Sequence, residues 1–342
     1  MRGITTGTRR VGLTGVFGAL GVLAVAGPAV GSGETITVYS GQHDQTVSLL
    51  VKDFEKRTDV KVSVRSGDEA ELANQILQEG SGSPADVFFA ENPPALEALR
   101  GKGLLSALPA TVLRVVPKRY SSPQGNWLGV SARSVALSYN VGQVPAKTLP
   151  KSVLDLASSA WKGRVGFAPT ETDFQPVVTA VIRLKGSVAA RRWLEGIRAN
   201  GKVYPDNEAL VAAVNDGRVG VGLLDHYYWY RFRDEVSQAK TKSRLHYFRA
   251  GDPGALVDVS GVAVLQSSSR KASANRFLAY LVSPAGQRII ATSESYEYPL
   301  RPGIGNPRLT YPLSALRPPR LSMTALGDGR ETLALLQDVG LL

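Results

Sequence analysis

The sequence contains no cysteine among its 342 residues. That removes disulfides and every thiolate-based site, whether zinc, iron-sulfur or nucleophilic. Histidine is nearly as scarce, occurring at His43, His226 and His246. A metal site in this chain must therefore be built mainly from oxygen ligands, which points to hard cations. Internal repeats and low-complexity tracts are also missing. The length exceeds the roughly 250 to 300 residues at which a single core stops growing, so two lobes are expected.

Acidic residues are absent from the first 31 positions, where Arg2, Arg9 and Arg10 precede an apolar stretch from Val11 to Ala26. This is the pattern of a signal peptide over 1–31, with Ala29 and Gly31 as the small residues before a cut near Ser32. Arg9-Arg10 lacks the bulky apolar residues that a twin-arginine signal places after it, so ordinary export is expected. The mature chain would then be periplasmic or lie at the outer face of the cytoplasmic membrane. Removing the leader lowers the net charge from +11 to +8. That balance favours anionic surfaces or ligands, and export makes nucleic acid an unsuitable partner.

Short β-branched runs alternate with helical patterns through the rest of the chain, which reads as α/β. Strands are expected at 36–40, 60–65, 86–90, 135–139, 164–168, 219–224 and 261–266, and helices at 45–57, 174–184, 188–199, 209–215 and 272–282. Ser66 with Glu69 reads as a capping box for a further helix, and Pro93-Pro94 starts a short one that stops at Gly101. The order allows two doubly wound lobes, with the chain crossing between them near 133–139 and again near 258–262. In such sheets ligands sit beyond the carboxyl ends of strands. The polar residues at those ends are His43 and Asp44; Glu91 and Asn92; Thr170, Glu171 and Asp173; and Asp225, His226, Tyr227 and Tyr228.

An imidazole, a carboxylate and two adjacent phenols suit ferric ion, a small hard cation that prefers anionic oxygen. A phenol is neutral at physiological pH unless a strong Lewis acid displaces its proton, and Fe(III) does so. One carboxylate and two phenolates would neutralise the ion where it is buried.

At these positions the chain resembles the bacterial ferric-ion-binding proteins, the extracytoplasmic receptors of iron ABC importers. The resemblance rests on Val38-Tyr39-Ser40-Gly41-Gln42-His43, on Asp86 through Glu91, on Leu224-Asp225-His226-Tyr227-Tyr228-Trp229 and on Tyr296-Glu297-Tyr298-Pro299-Leu300, and it covers the mature chain. It implies a two-lobed fold of the type II periplasmic binding proteins, with two doubly wound sheets and a hinge. The lobes would comprise 32–133 plus 258–305, and 134–257 plus 306–342. It further implies Fe(III) ligands His43, Glu91, Tyr227 and Tyr228, Arg133 and Asn207 near a synergistic anion, a monomer, and delivery of ferric ion or a ferric chelate to an ABC permease and its ATPase. The chain departs from the family at Glu171, where small residues usually cradle a phosphate-like anion, and at Asp225, where several relatives carry Asn. Carboxylates there repel phosphate, so a built-in carboxylate or a smaller carbonate is expected instead.

Other readings exist for the same residues. Glu91 could be a first-turn acid favourable to its helix dipole, Tyr227 through Tyr230 an aromatic core patch, and Arg133 either an interlobe ion pair or an anion holder. Consecutive aromatic residues cannot all face one core, however. Catalysis finds little support: His43-Asp44 cannot orient one another as in a triad, no G-x-S-x-G turn occurs, and Ser268 to Lys271 matches S-x-x-K by spelling alone. Glu91 with Glu171 could form an acid pair of a hydrolase only if suitably spaced. A receptor of the same fold for a polyamine, a thiamine-like cation or an oxyanion is the alternative to iron.

Overall fold

Among the described residues eight strands form one continuous order with two more pairing to one of them, and that order explains how distant parts of the chain reach one cleft. The computed structural model describes residues 33–342, so the expected signal peptide at 1–31 lies outside the described residues. The strands are β1 Thr35–Ser40, β2 Lys61–Ser66, β3 Val87–Ala90, β4 Leu128–Asn140, β5 Val165–Phe167, β6 Gly201–Val203, β7 Val221–Asp225, β8 Ser243–His246, β9 Val257–Val264 and β10 Tyr298–Pro299. Their order is β2-β1-β3-β9-β4-β7-β5-β6, with β8 and β10 also pairing with β4.

Strand β4 belongs to both halves of this arrangement. Its first part, Leu128 to Ser134, runs antiparallel to β9, while Val135 to Tyr139 pairs antiparallel with β7. On one side of β4 lie the parallel strands β1, β2 and β3, and on the other the parallel strands β5, β6 and β7. The stretch 133–139, where a crossing is expected, lies in β4, which pairs with strands of both halves, whereas 258–262 lies in β9, which pairs with β3 and the first part of β4.

Helices follow most strands, and their apolar spacing explains them. The helix Asp44–Arg57 buries Val47, Leu50 and Phe54 on one face and carries Asp44 in its first turn and Lys56 and Arg57 in its last. The capping box expected from Ser66 and Glu69 does not form. Ser66 ends β2, and Asp68 caps the helix Glu69–Glu79 by accepting from the backbone N–H groups of Ala70 and Glu71 at 2.9 and 3.0 Å. Strand β4 is much longer than the expected 135–139. All thirteen residues are buried, so no polar alternation marks its length. For the same reason β9 starts at Val257 rather than Gly261. Among the described residues no helix is long and apolar enough to cross a membrane.

Candidate metal centre

Four helices begin directly after strands of the two halves, and their N-cap residues are His43, Asn92, Asp173 and Asp225. Asn, Asp and Ser ordinarily use their side chains to accept from the first-turn N–H groups. Asp68, Asp206 and Ser283 do so elsewhere in this chain. None of the four residues at the cleft does. His43 meets Glu91 and Tyr227, Asp173 meets the two tyrosine hydroxyls, Asp225 lines a small cavity with Asp173, and Asn92 bonds Glu69 and Arg133 instead.

The four residues named as candidate metal ligands come together there. His43 Nε2 lies 3.5 Å from Glu91 Oε1, and the His43 and Tyr227 rings meet edge to face at 5.2 Å. The Tyr227 hydroxyl lies 3.4 Å from Glu91 Oε1. It donates to Asp173 Oδ2 at 2.6 Å, and the Tyr228 hydroxyl donates to the same oxygen at 3.0 Å. The two phenol rings are 4.2 Å apart. His43 and Glu91 stand on the β1–β3 side of the sheet and the tyrosines on the β7 side. Tyr227 and Tyr228 are buried, while the side chains of His43 and Glu91 retain 18% and 16% of their exposure. Two polar atoms in this cluster, His43 Nε2 and Asp173 Oδ1, are buried with no hydrogen-bond partner.

Burial and like charge act on every titratable group here. Burial pushes the Glu91 carboxyl well above its ordinary range, with the charge of Asp173 adding to the effect. The Tyr227 and Tyr228 hydroxyls are raised well above the usual phenol value by burial and then by Asp173. Burial lowers His43, which keeps the imidazole neutral and able to donate a lone pair. Asp225 is raised by burial and Asp173, and Asp258 is raised to about 7 chiefly by burial. The cleft is thus over-supplied with oxygen anions that resist ionising without a cation. Among the described residues no three His, Cys, Asp or Glu side chains are by themselves gathered closely enough to hold a metal, so a centre here is assembled around the phenols that the carboxylates meet.

Arg133 forms an ion pair, but not the interlobe one expected: Glu297, Glu91 and Asn92 all belong with it to the expected lobe 32–133 plus 258–305. The side chain is fully buried, and Nη2 donates to Glu297 Oε1 at 2.9 Å. Nη1 donates to the Glu91 carbonyl and to Asn92 Oδ1. Burial opposes its charge, but Glu91 and Glu297 outweigh that and raise it well above the ordinary arginine value. Glu297 also accepts from Gln42 Nε2 and Ser131 Oγ, and Glu69 accepts from the backbone and side chain of Asn92. Gln42 Oε1 in turn receives the N–H of His43 at 2.7 Å. This network fixes the backbone from which His43 and Glu91 project. Gly41 is required beside it, because a Cβ there would stand 2.5 Å from Glu69 Cβ.

The remaining residues expected around an anion are divided. Asn207 and Asp225 line, with Asp173, a cavity of about 10 Å³, room for one water. Glu171 is half-buried outside that lining, held near Asn207 by its backbone N–H and raised to about 7 by burial and then by Asp173. Of the expected anion-site residues, Arg133 already has carboxylate, carbonyl and amide partners, which leaves Nε as its free donor. His226, between Asp225 and the tyrosines, takes no part: Nδ1 accepts from Ser134 N and Nε2 meets the Tyr296 carbonyl at 3.0 Å. Burial drives its pKa down to about 3.

Sequence reasoning noted Asp173 among strand-end polar residues without giving it a role, and gave none to Glu297. An Asp just before the apolar run from Phe174 reads as an ordinary N-cap, which hides its orientation. Glu297 lies in a quoted motif but beside the two-residue strand β10, where no periodicity indicates which way it points.

Comparison with known proteins places this geometry in context. Residues 36–293 match the bacterial extracellular solute-binding proteins. The Fe(3+)-binding periplasmic protein of Serratia marcescens is 37% identical over 322 residues, covering 94% of this chain and 95% of that protein. The major ferric iron-binding protein of Neisseria meningitidis serogroup B is 38% identical over 324 residues, covering 93% and 96%. The crystal structure of iron-bound HitA from Pseudomonas aeruginosa superposes with a TM-score of 0.85 at 42% identity, covering 90% of this chain and 99% of that one. The fold is therefore the mixed α/β, two-lobed one of type II periplasmic binding proteins, as the resemblance implied.

Proposed function

The chain belongs to the bacterial extracellular solute-binding proteins, and on that premise we propose that it is exported, captures Fe(III) between its lobes and hands it to an ABC permease and its ATPase. His43, Glu91, Tyr227 and Tyr228 are the ligands in this reading. The observation that carries it is the meeting of both phenols with carboxylates at one buried point, Tyr227 with Asp173 and Glu91 and Tyr228 with Asp173. Buried phenols raised as these are stay neutral until a cation strong enough to displace the proton arrives. Glu91 and two phenolates then match the charge of one ferric ion.

Ligands from both sides of β4 give the cleft a reason to close, since they meet one ion only when the halves approach. The lobes are 32–133 plus 258–305 and 134–257 plus 306–342, hinged in β4 and β9, and the receptor works as a monomer. A polyamine or other organic ligand fits less well, because both phenol hydroxyls converge on one carboxylate oxygen at 2.6 and 3.0 Å, which suits a single ion rather than an extended molecule. Carbonate is the anion small enough to join the ion, though Arg133 has only Nε left to offer it. Titration of the purified protein with ferric ion, followed in the visible range, tests the reading. A tyrosinate-to-iron charge-transfer band that saturates at one ion and bleaches on reduction is expected, and a colourless titration rejects it.

A further inference from the structure

We propose that Asp173 is a ligand of the captured ion, a carboxylate built into the chain that takes the place an added anion would fill. The inference rests on the iron reading above and specifies one more member of the same site. A single oxygen, Oδ2, receives both the Tyr227 and the Tyr228 hydroxyl, at 2.6 and 3.0 Å. A cation that replaces those two phenolic protons must lie against the oxygen to which both protons point. The other oxygen, Oδ1, is buried without a partner, and the residue as a whole is 7% exposed. An uncompensated buried carboxylate oxygen is costly, and coordination to a cation satisfies it.

Local structure supports the same conclusion. Asp173 is the N-cap of the helix Phe174–Lys185 yet makes no capping hydrogen bond, so its side chain is not committed to the helix. Two phenolates and Glu91 balance Fe(III), and the extra negative charge of Asp173 is met in part by the helix N-terminus on which it sits. A carboxylate fixed by the backbone also binds without the entropy loss that a free anion incurs. Glu171, the carboxylate first expected in this role, is hydrogen-bonded to neither tyrosine hydroxyl, whose partners are Asp173 and Glu91. Iron loading should therefore proceed without phosphate or carbonate, and should become dependent on them when Asp173 is removed.

The test compares wild type, Asp173→Ala, Asp173→Asn and Glu171→Ser in ferric titrations against a competing chelator, in buffer freed of phosphate and carbonate, with each anion then restored. Unfolding midpoints of the iron-free proteins are measured first. If the alanine variant does not fold, the isosteric Asp173→Asn carries the comparison. Wild type should give its full charge-transfer band without added anion. The Asp173 variants should bind about 100-fold or more weakly, as expected for loss of a group at least as close as an outer-shell partner, and should recover with phosphate or carbonate and a shifted band. Wild-type binding that needs added anion, or an Asp173→Ala protein that binds like wild type without one, overturns the assignment and leaves the iron reading standing. Anion dependence created by Glu171→Ser and not by the Asp173 variants also overturns it. Absence of any band in wild type, with or without anion, removes the iron reading and this inference together.

Discussion

The cleft contains two carboxylate clusters of opposite character. Around Glu297 the acceptors are filled: Arg133, Gln42 and Ser131 all donate to it, and Arg133 reaches on to Asn92, which Glu69 holds. Around Asp173 they are not, because Asp173 Oδ1 and His43 Nε2 stay buried without partners. A buried acid matched by a guanidinium is a brace for the backbone. A buried acid facing phenols and an open oxygen is a place prepared for a cation. The difference lies in whether the carboxylate oxygens are satisfied and in what satisfies them, and each cluster should fail in its own way when altered.

The largest effect is expected from the braced cluster. Glu297→Ala leaves Arg133 charged and fully buried without its nearer carboxylate, with only Glu91 left at 3.5 Å, which should cost about 3 kcal/mol of stability in the iron-free protein. Chemical denaturation checks this. An unchanged midpoint would mean that the two clusters do not differ as described. Tyr227→Phe should behave the other way, with stability nearly kept and iron affinity reduced by about 100-fold or more, since the variant loses an anionic ligand at constant shape. Competition with a chelator measures that loss, and Tyr228→Phe should match it.

Between the clusters lies Asp258, opposite Arg133 in the β4–β9 pairing. Its pKa is about 7 in the fold against about 3.9 in an unfolded chain. The folded state thus binds this proton more tightly, so the stability it contributes is full below about pH 4 and is lost as pH rises to about 7. Asp258→Asn removes the high-pH cost and should stabilise the protein by on the order of 2 kcal/mol at pH 8, with little gain at pH 4. Denaturation midpoints at the two pH values test this, and equal shifts at both would contradict it. His43→Ala should be the mildest change, about tenfold in iron affinity, because a neutral imidazole adds no charge and water can enter its place. A loss as large as that of Tyr227→Phe would mean that charge does not govern this site.

The sequence allowed the two clusters to be located but not told apart. Strand-end position was enough to bring His43, Glu91, Tyr227 and Tyr228 under notice, because an α/β sheet presents its ligands there. The same rule pointed to Asp173 without revealing that its side chain turns from the helix to the phenols, since orientation at an N-cap leaves no trace in periodicity. Glu297 and the full length of β4 escaped for a related reason. Segments buried on both sides lose the alternation that marks a strand, and Glu297 becomes a partner of Arg133 only through contacts more than 160 positions apart in the chain. The Ser66–Glu69 pattern misled because Asp68 competed for the same helix start and Glu69 was taken by Asn92.

The most direct test of the central claim is the crystal structure of the iron-loaded protein with anomalous diffraction recorded at the iron absorption edge. The account predicts one strong peak, within bonding distance of the Tyr227 and Tyr228 hydroxyl oxygens, Glu91, Asp173 and His43 Nε2, with Arg133 still held by Glu297. A peak elsewhere on the molecule, or one at the cleft that either tyrosine does not reach, would contradict it.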